Sequence, residues 1–202
     1  MKKILKVGIT GGIGSGKSIV TDFVEQNGFK VIRSDLLAKE IMIGNNSVKI
    51  KLKKEFGEEA YSGTKLNTGY LAKKIFSSKT QINKINSIVH PPTIKKIKEL
   101  IKQYAKNANV VFVESALIFE AKFQGFFDYI ILVSADEKIR IGRVVKRDRT
   151  NVEEVRKRMS FQISETRKKL LSDFIVENNS NKKSLGKKVL FVIKIIKALS
   201  QD

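Results

Sequence analysis

Apolar positions follow two rhythms along this chain. "KILKVGI" (residues 3–9) is an Ile- and Val-rich run, as in a strand buried on both faces. After a glycine-rich stretch, Ile19, Val20, Phe23 and Val24 fall on one helical face, and Gly28 stands where such a helix stops. "FKVIRS" reads as a second strand, and "DLLAKEIM" opens a helix with Asp35 near its N-terminus. Residues 47–107 change in texture and read as helix after helix, with two helical segments flanking His90 and Pro91. Ile94, Ile97, Ile101 and Tyr104 keep helical spacing in the last of these. "NVVFVES" and "YIILVSA" are strands, helical patterns return from Asp136 to about Leu171, "DFIVEN" is a last strand, and residues 184–199 form a last helix. Strands alternating with helices predict an α/β fold, a parallel sheet covered on both faces, with the helical stretch as an insertion.

Composition narrows the class. The 202 residues fit one compact domain with a small inserted subdomain, and 42% apolar residues supply a core. The chain has no cysteine, which excludes disulfides and cysteine-ligated metal, and its single histidine excludes a histidine cluster. No apolar run approaches the roughly 20 residues that span a bilayer, and the N-terminal run is too short for a signal peptide. No membrane partner is expected, and a cytoplasmic location fits. The formal charge of +20 raises a nucleic-acid reading. The lysines are scattered without interleaved aromatics, so a solvated basic surface is the plainer reading, and no nucleic-acid partner is expected.

The chemistry concentrates at "GITGGIGSGKS" (residues 8–18). Gly11 to Ser18 fits the phosphate-loop pattern G-x-x-x-x-G-K-[ST], between an apolar strand and an amphipathic helix, as the motif requires. Glycine lets a phosphate chain approach the backbone. The N–H groups of Gly12, Ile13, Gly14, Ser15, Gly16 and Lys17 would form an anion nest at the helix N-terminus. Lys17 would reach the β- and γ-phosphates of a nucleoside triphosphate, and the Ser18 hydroxyl would ligate Mg²⁺. Around the loop, alternatives stay open. Asp35 is either a base for an acceptor hydroxyl or a helix N-cap. Glu114, ending "VVFVE", either positions Mg²⁺, directly or through water, or is an ordinary strand-end acid. Arg143 and Arg147, four apart, either clamp a phosphoryl group or form a solvated face, and Arg167 is a weaker case of the same kind. His90, before Pro91, reads as structural.

The motifs "GITGGIGSGKS", "SDLLAKE", "VHPPTI", "ALIFE", "GRVVKRD" and "FQISETRKKLLSDFIVENN" occur in an order and spacing that resemble the dephospho-CoA kinases over nearly the whole chain. The resemblance implies a three-layer α/β/α P-loop kinase core with a parallel five-stranded sheet, over about residues 1–46 and 108–202. It also implies a helical acceptor subdomain over about 47–107 and a lid over about 139–150. The implied reaction is ATP- and Mg²⁺-dependent phosphorylation of the 3′-hydroxyl of dephospho-CoA, the last step of coenzyme A synthesis, by a monomer or weak homo-oligomer. By resemblance Asp35 is the general base, and Arg143, Arg147 and Asn178 engage ATP beside Lys17. His90 and Arg167 contact the acceptor. Arg33, Glu114 and Ala116 depart from the family's pattern, which bears on metal and acceptor geometry. Two rivals differ in substrate: another P-loop kinase acting on a nucleoside, a nucleotide or a shikimate-like alcohol, and a basic nucleic-acid-binding protein that uses ATP.

Overall fold

The computed structural model describes residues 4–201, so Lys3, the first residue of the expected opening strand, lies outside the described residues. In chain order the elements are β1 (Leu5–Thr10), α1 (Lys17–Gln26), β2 (Lys30–Arg33), α2 (Ser34–Gly44), α3 (Asn46–Phe56), β3 (Tyr61–Ser62), β4 (Lys65–Leu66), α4 (Thr68–Ile75) and α5 (Lys79–Tyr104). They continue as β5 (Val110–Glu114), β6 (Tyr129–Ser134), α6 (Glu137–Asp148), α7 (Val152–Ser160), α8 (Glu165–Leu170), β7 (Phe174–Glu177) and α9 (Lys182–Leu199). Two compact units result: one runs to Arg33 and resumes at Leu100, and the other is Ser34–Glu99.

The first unit is built on a five-stranded parallel sheet in the order β2-β5-β1-β6-β7. β1 lies at its centre, where both faces are covered, so that Val7, Gly8, Ile9 and Thr10 are all buried although only every second residue is a large apolar one. On one face Val7, Ile9, Phe112, Ile131 and Val133 pack with Val20 and Val24 of α1 and Leu185, Val189 and Ile193 of α9. Below the other face Ile130 joins Ile118 and Phe119. A parallel sheet directs every strand's carboxyl end to the same edge, and ligands of such folds bind there. β1 and α1 meet at that edge through residues 11–16.

The second unit packs around Val48, Leu52 and Phe56 of α3, with Tyr61, Leu71 and Val89. Asn45 caps α3 by accepting the Val48 N–H (3.1 Å), and Asn67 caps α4 in the same way from Tyr70 (3.1 Å). The stretch expected to be wholly helical also holds a small antiparallel hairpin, β3–β4. The two helices expected to flank His90 are one helix, α5, which runs through Pro91 and Pro92. An interior proline usually costs about 3 kcal/mol or more, because it removes a helix hydrogen bond and crowds the preceding turn. Here burial keeps the helix continuous: Val89, Thr93, Ile97 and Ile101 are all buried and recur every fourth residue across the prolines. The Thr93 hydroxyl also donates to the Val89 carbonyl (2.8 Å).

Candidate active site

The loop from Gly11 to Gly16 takes its shape from its neighbours. Gly14 (φ 78°) and Gly16 (φ 94°) lie in the left-handed region, which glycine adopts without strain. A Cβ on Gly16 would run into the Asn178 amide nitrogen, and one on Gly12 into the Arg140 guanidinium. The Asn178 Nδ2 donates to the Ser15 carbonyl (2.8 Å), and Asn178 is buried. Arg143 donates to the Asn178 carbonyl (3.0 Å) and, at 3.4 Å, to the carbonyls of Gly14 and Ser15. Arg143 and Asn178 thus hold the loop from outside, by its carbonyls.

That arrangement corrects the expected nest. Of the six N–H groups from Gly12 to Lys17, two are already engaged. Ile13 donates to the Gln162 side-chain oxygen (3.0 Å), and Ser15 to the Gly12 carbonyl (3.1 Å). Among the described residues, the N–H groups of the other four, Gly12, Gly14, Gly16 and Lys17, and that of Ser18 have no hydrogen-bond partner. α1 starts at Lys17 after a Gly16 N-cap that offers no side chain, and its first turn has no acid. Unpaired amides at the positive end of a helix dipole, beside a lysine, suit an anion. The Lys17 Nζ stands 4.0 Å from Glu114 Oε1, with both side chains largely buried. Glu114 therefore sits at the loop, beside its lysine.

The remaining expected residues divide. Arg147 does not share the loop with Arg143: its guanidinium is exposed and forks onto Asp148 (2.7 and 3.1 Å). That pairing, foremost the hydrogen bond, holds the Asp148 carboxyl below the usual carboxylate range. Arg167 is exposed; the buried cation of α8 is its neighbour Lys168. Lys168 Nζ lies 3.1 Å from Glu120 Oε1. Burial pushes its pKa down, while Glu120 and Glu165 pull it up and Lys17 adds repulsion. Asp35 is in the first turn of α2, one residue inside a helix that begins at Ser34, so it is not the N-cap. It is exposed, and an acid there is favoured by the helix dipole. His90 belongs to the same unit and is half-buried; burial lowers its pKa, and the Asp35 charge works in the opposite direction. Arg33, the departure next to Ser34, is fastened to Asp22 (2.6 Å) and Glu25 (2.7 Å) of α1.

Sequence reasoning missed Arg140, Gln162, Glu165, Lys168 and Glu120. Gln162, Glu165 and Lys168 lie within the "FQISETRKKLL" stretch and Glu120 ends "ALIFE", so the segments were visible but not which side chains turn inward. Arg140 is three residues before Arg143, the helical spacing that was the signal for it.

Mg²⁺ with a triphosphate asks for hard oxygen donors and keeps several waters, so it needs few protein ligands. Ser18, in the first turn of α1, and Glu114, at the end of β5, supply a hydroxyl and a carboxylate and fit that demand. No group of three or more His, Cys, Asp or Glu side chains able to hold a metal occurs among the described residues. No helix among them is long and apolar enough to cross a membrane.

Comparison with known proteins agrees with this geometry. The family model for dephospho-CoA kinase matches residues 5–184. A dephospho-CoA kinase of Bacteroides fragilis is 34% identical over 181 residues, covering 88% of this chain and 86% of its own length. That of Fusobacterium nucleatum is 34% identical over 187 residues, covering 92% and 95%. The solved structure of TT1252 from Thermus thermophilus superposes with a TM-score of 0.83 at 29% identity, over 96% of this chain and 98% of that one. A phosphate loop set at the carboxyl edge of a five-stranded parallel sheet, in a chain matched over nearly its whole length by one family model, means that the protein belongs to the dephospho-CoA kinase family.

Proposed function

We propose that the chain transfers the γ-phosphoryl group of ATP to the 3′-hydroxyl of dephospho-CoA, giving coenzyme A and ADP. The observation that carries this reading is the loop, with five unpaired amides at and beside Lys17, in a chain of this family. The amides of Gly12, Gly14, Gly16, Lys17 and Ser18 bind the phosphate oxygens, and Lys17 offsets the charge that builds on the transferring group. Arg143 holds the loop's carbonyls outward and adds a second positive charge. Asp35 accepts the proton of the acceptor hydroxyl as the new P–O bond forms and the bond to the β-phosphate oxygen breaks. His90 and the α8 region bear on the acceptor. Ser18 and Glu114 would hold Mg²⁺, which when bound would draw charge from the phosphate oxygens. Closure over about residues 139–150 keeps water from the phosphoryl group. Arg140, Ile141 and Val144 are buried and Arg143 is tied to the loop, so the exposed part of that segment is residues 146–149. The partners are these two substrates, without nucleic acid, and the setting is the cytoplasm.

The test is ADP release coupled to added dephospho-CoA, with coenzyme A identified as the product. Strong turnover of a nucleoside or shikimate with none of dephospho-CoA would overturn the substrate assignment. Asp35→Asn should lower kcat by about 10²–10⁴-fold and leave ATP affinity within about twofold, since it removes a proton acceptor and no phosphate ligand. Near wild-type turnover in that variant would remove Asp35 from its role.

A further inference from the structure

Arg140 is buried, with only 6% of its surface exposed, yet it holds a full charge beside a loop that binds anions. Its Nε donates to the Ile13 carbonyl (2.9 Å), and its Nη1 donates to Glu165 Oε2 (3.0 Å). The N–H of the same Ile13 donates to the Gln162 side-chain oxygen (3.0 Å). Both polar groups of Ile13 are therefore gripped, by one side chain from α6 and one from the segment between α7 and α8. Ile13 itself packs on Ile141, Val144 and Val155.

The consequence lies in the next peptide unit. A trans peptide is planar, and its carbonyl and N–H point in opposite directions. The Ile13 carbonyl and the Gly14 N–H belong to one such unit. Drawing the carbonyl outward onto Arg140 turns the Gly14 N–H to the opposite side, and that N–H is one of the five left unpaired. Arg140 also accounts for two glycines of the motif. A Cβ on Gly12 would enter its guanidinium, and a Cβ on Gly14 would stand 2.5 Å from its carbonyl oxygen.

We propose that Arg140 is a positioning residue for phosphate binding: it fixes the Ile13–Gly14 peptide so that the Gly14 amide is aimed at a phosphate oxygen, with Glu165 orienting the guanidinium and Gln162 withdrawing the Ile13 amide from the nest. The inference rests on reading the loop as the ATP phosphate site. The clamp acts on the nucleotide and not on the acceptor.

The test is calorimetric titration of Mg²⁺-ATP into the whole protein, with melting temperature and both KM values measured beside it. Arg140→Met should weaken ATP binding by about tenfold or more, the worth of a charge-assisted hydrogen bond, while the KM for dephospho-CoA stays unchanged. Arg140→Lys, which keeps the charge and one donor, should recover part of the loss. Gln162→Met, which leaves Arg140 in place, should weaken ATP binding in the same direction and supplies the answer if Arg140→Met does not fold. Gly12→Ala should harm ATP binding in the wild-type background and add little in an Arg140→Ser background. A folded Arg140→Met or Gln162→Met variant that binds ATP as tightly as the wild type would overturn the clamp. Equal rises in the KM for both substrates would also overturn it. Absence of ATP binding in the wild type would instead overturn the reading of the loop.

Discussion

His90 is the only histidine of the chain, so its ring resonances report on one site without assignment. Burial favours its neutral form, and the Asp35 carboxylate partly restores the charged one. The ring should therefore titrate below the ordinary value of about 6.5. Asp35→Asn, by removing the nearby anion, should move the titration lower still, a direction that proton NMR reads directly. An unchanged titration would mean that the two side chains do not interact. The same shift bears on stability. With a folded pKa below the unfolded one, the unfolded chain takes up the proton first. The contribution of neutral His90 is fully present above about pH 6.5 and is lost as pH falls through the depressed folded value. His90→Asn should flatten that acid limb of the stability profile. At this scale the sequence was informative where a residue type is demanded by the backbone, as at Gly16, whose φ of 94° favours glycine. It was silent on which of two adjacent cations, Arg167 or Lys168, turns inward, because that depends on the phase of a six-residue helix against the sheet.

Among the elements, the strands were legible because burial on both faces leaves an apolar run with no other explanation. β1, β5 and β6 lie where "KILKVGI", "NVVFVES" and "YIILVSA" placed them. α5 was not legible as one helix, since the local signal at Pro91 and Pro92 is a stop and only tertiary burial overrides it. The β3–β4 hairpin pairs only two residues on each strand, too short to show an alternation. α8 is held to the segment after β5 by Lys168 and Glu120, a pair with almost no solvent. Glu120 also accepts the Ile163 N–H (3.1 Å), next to the Gln162 that holds the loop. Breaking a buried pair by neutralising one partner leaves the other charge uncompensated, at about 3–5 kcal/mol. Glu120→Gln keeps an acceptor for Ile163 and removes only the charge. It should lower unfolding free energy in urea by about 3 kcal/mol, and adding Lys168→Met should recover most of that loss. Equal stability of the single and double variants would show that the pair has little net coupling.

For the whole molecule, the formal charge of +20 is the feature that no single site explains. Lys17, Arg140 and Arg143 account for the cations at the loop, and the rest lie elsewhere on the chain. A field of that sign attracts polyanions of any kind, and both proposed substrates carry several negative charges, so it should act on encounter more than on chemistry. Raising ionic strength from about 0.01 M to about 0.15 M shortens the screening length from about 30 Å to about 8 Å. Contacts inside the loop are shorter than either length and are screened little. The kcat/KM for ATP should therefore fall by roughly tenfold over that range, while kcat stays within about twofold. A parallel fall in kcat would place the effect of salt on the bound complex. No change in either would leave the lysines as solvated surface with no part in catalysis. Binding to duplex DNA that survives 0.15 M salt, with a logarithmic slope that tracks phosphate number, would instead favour the nucleic-acid rival, because a small triphosphate offers too few charges to sustain such a slope.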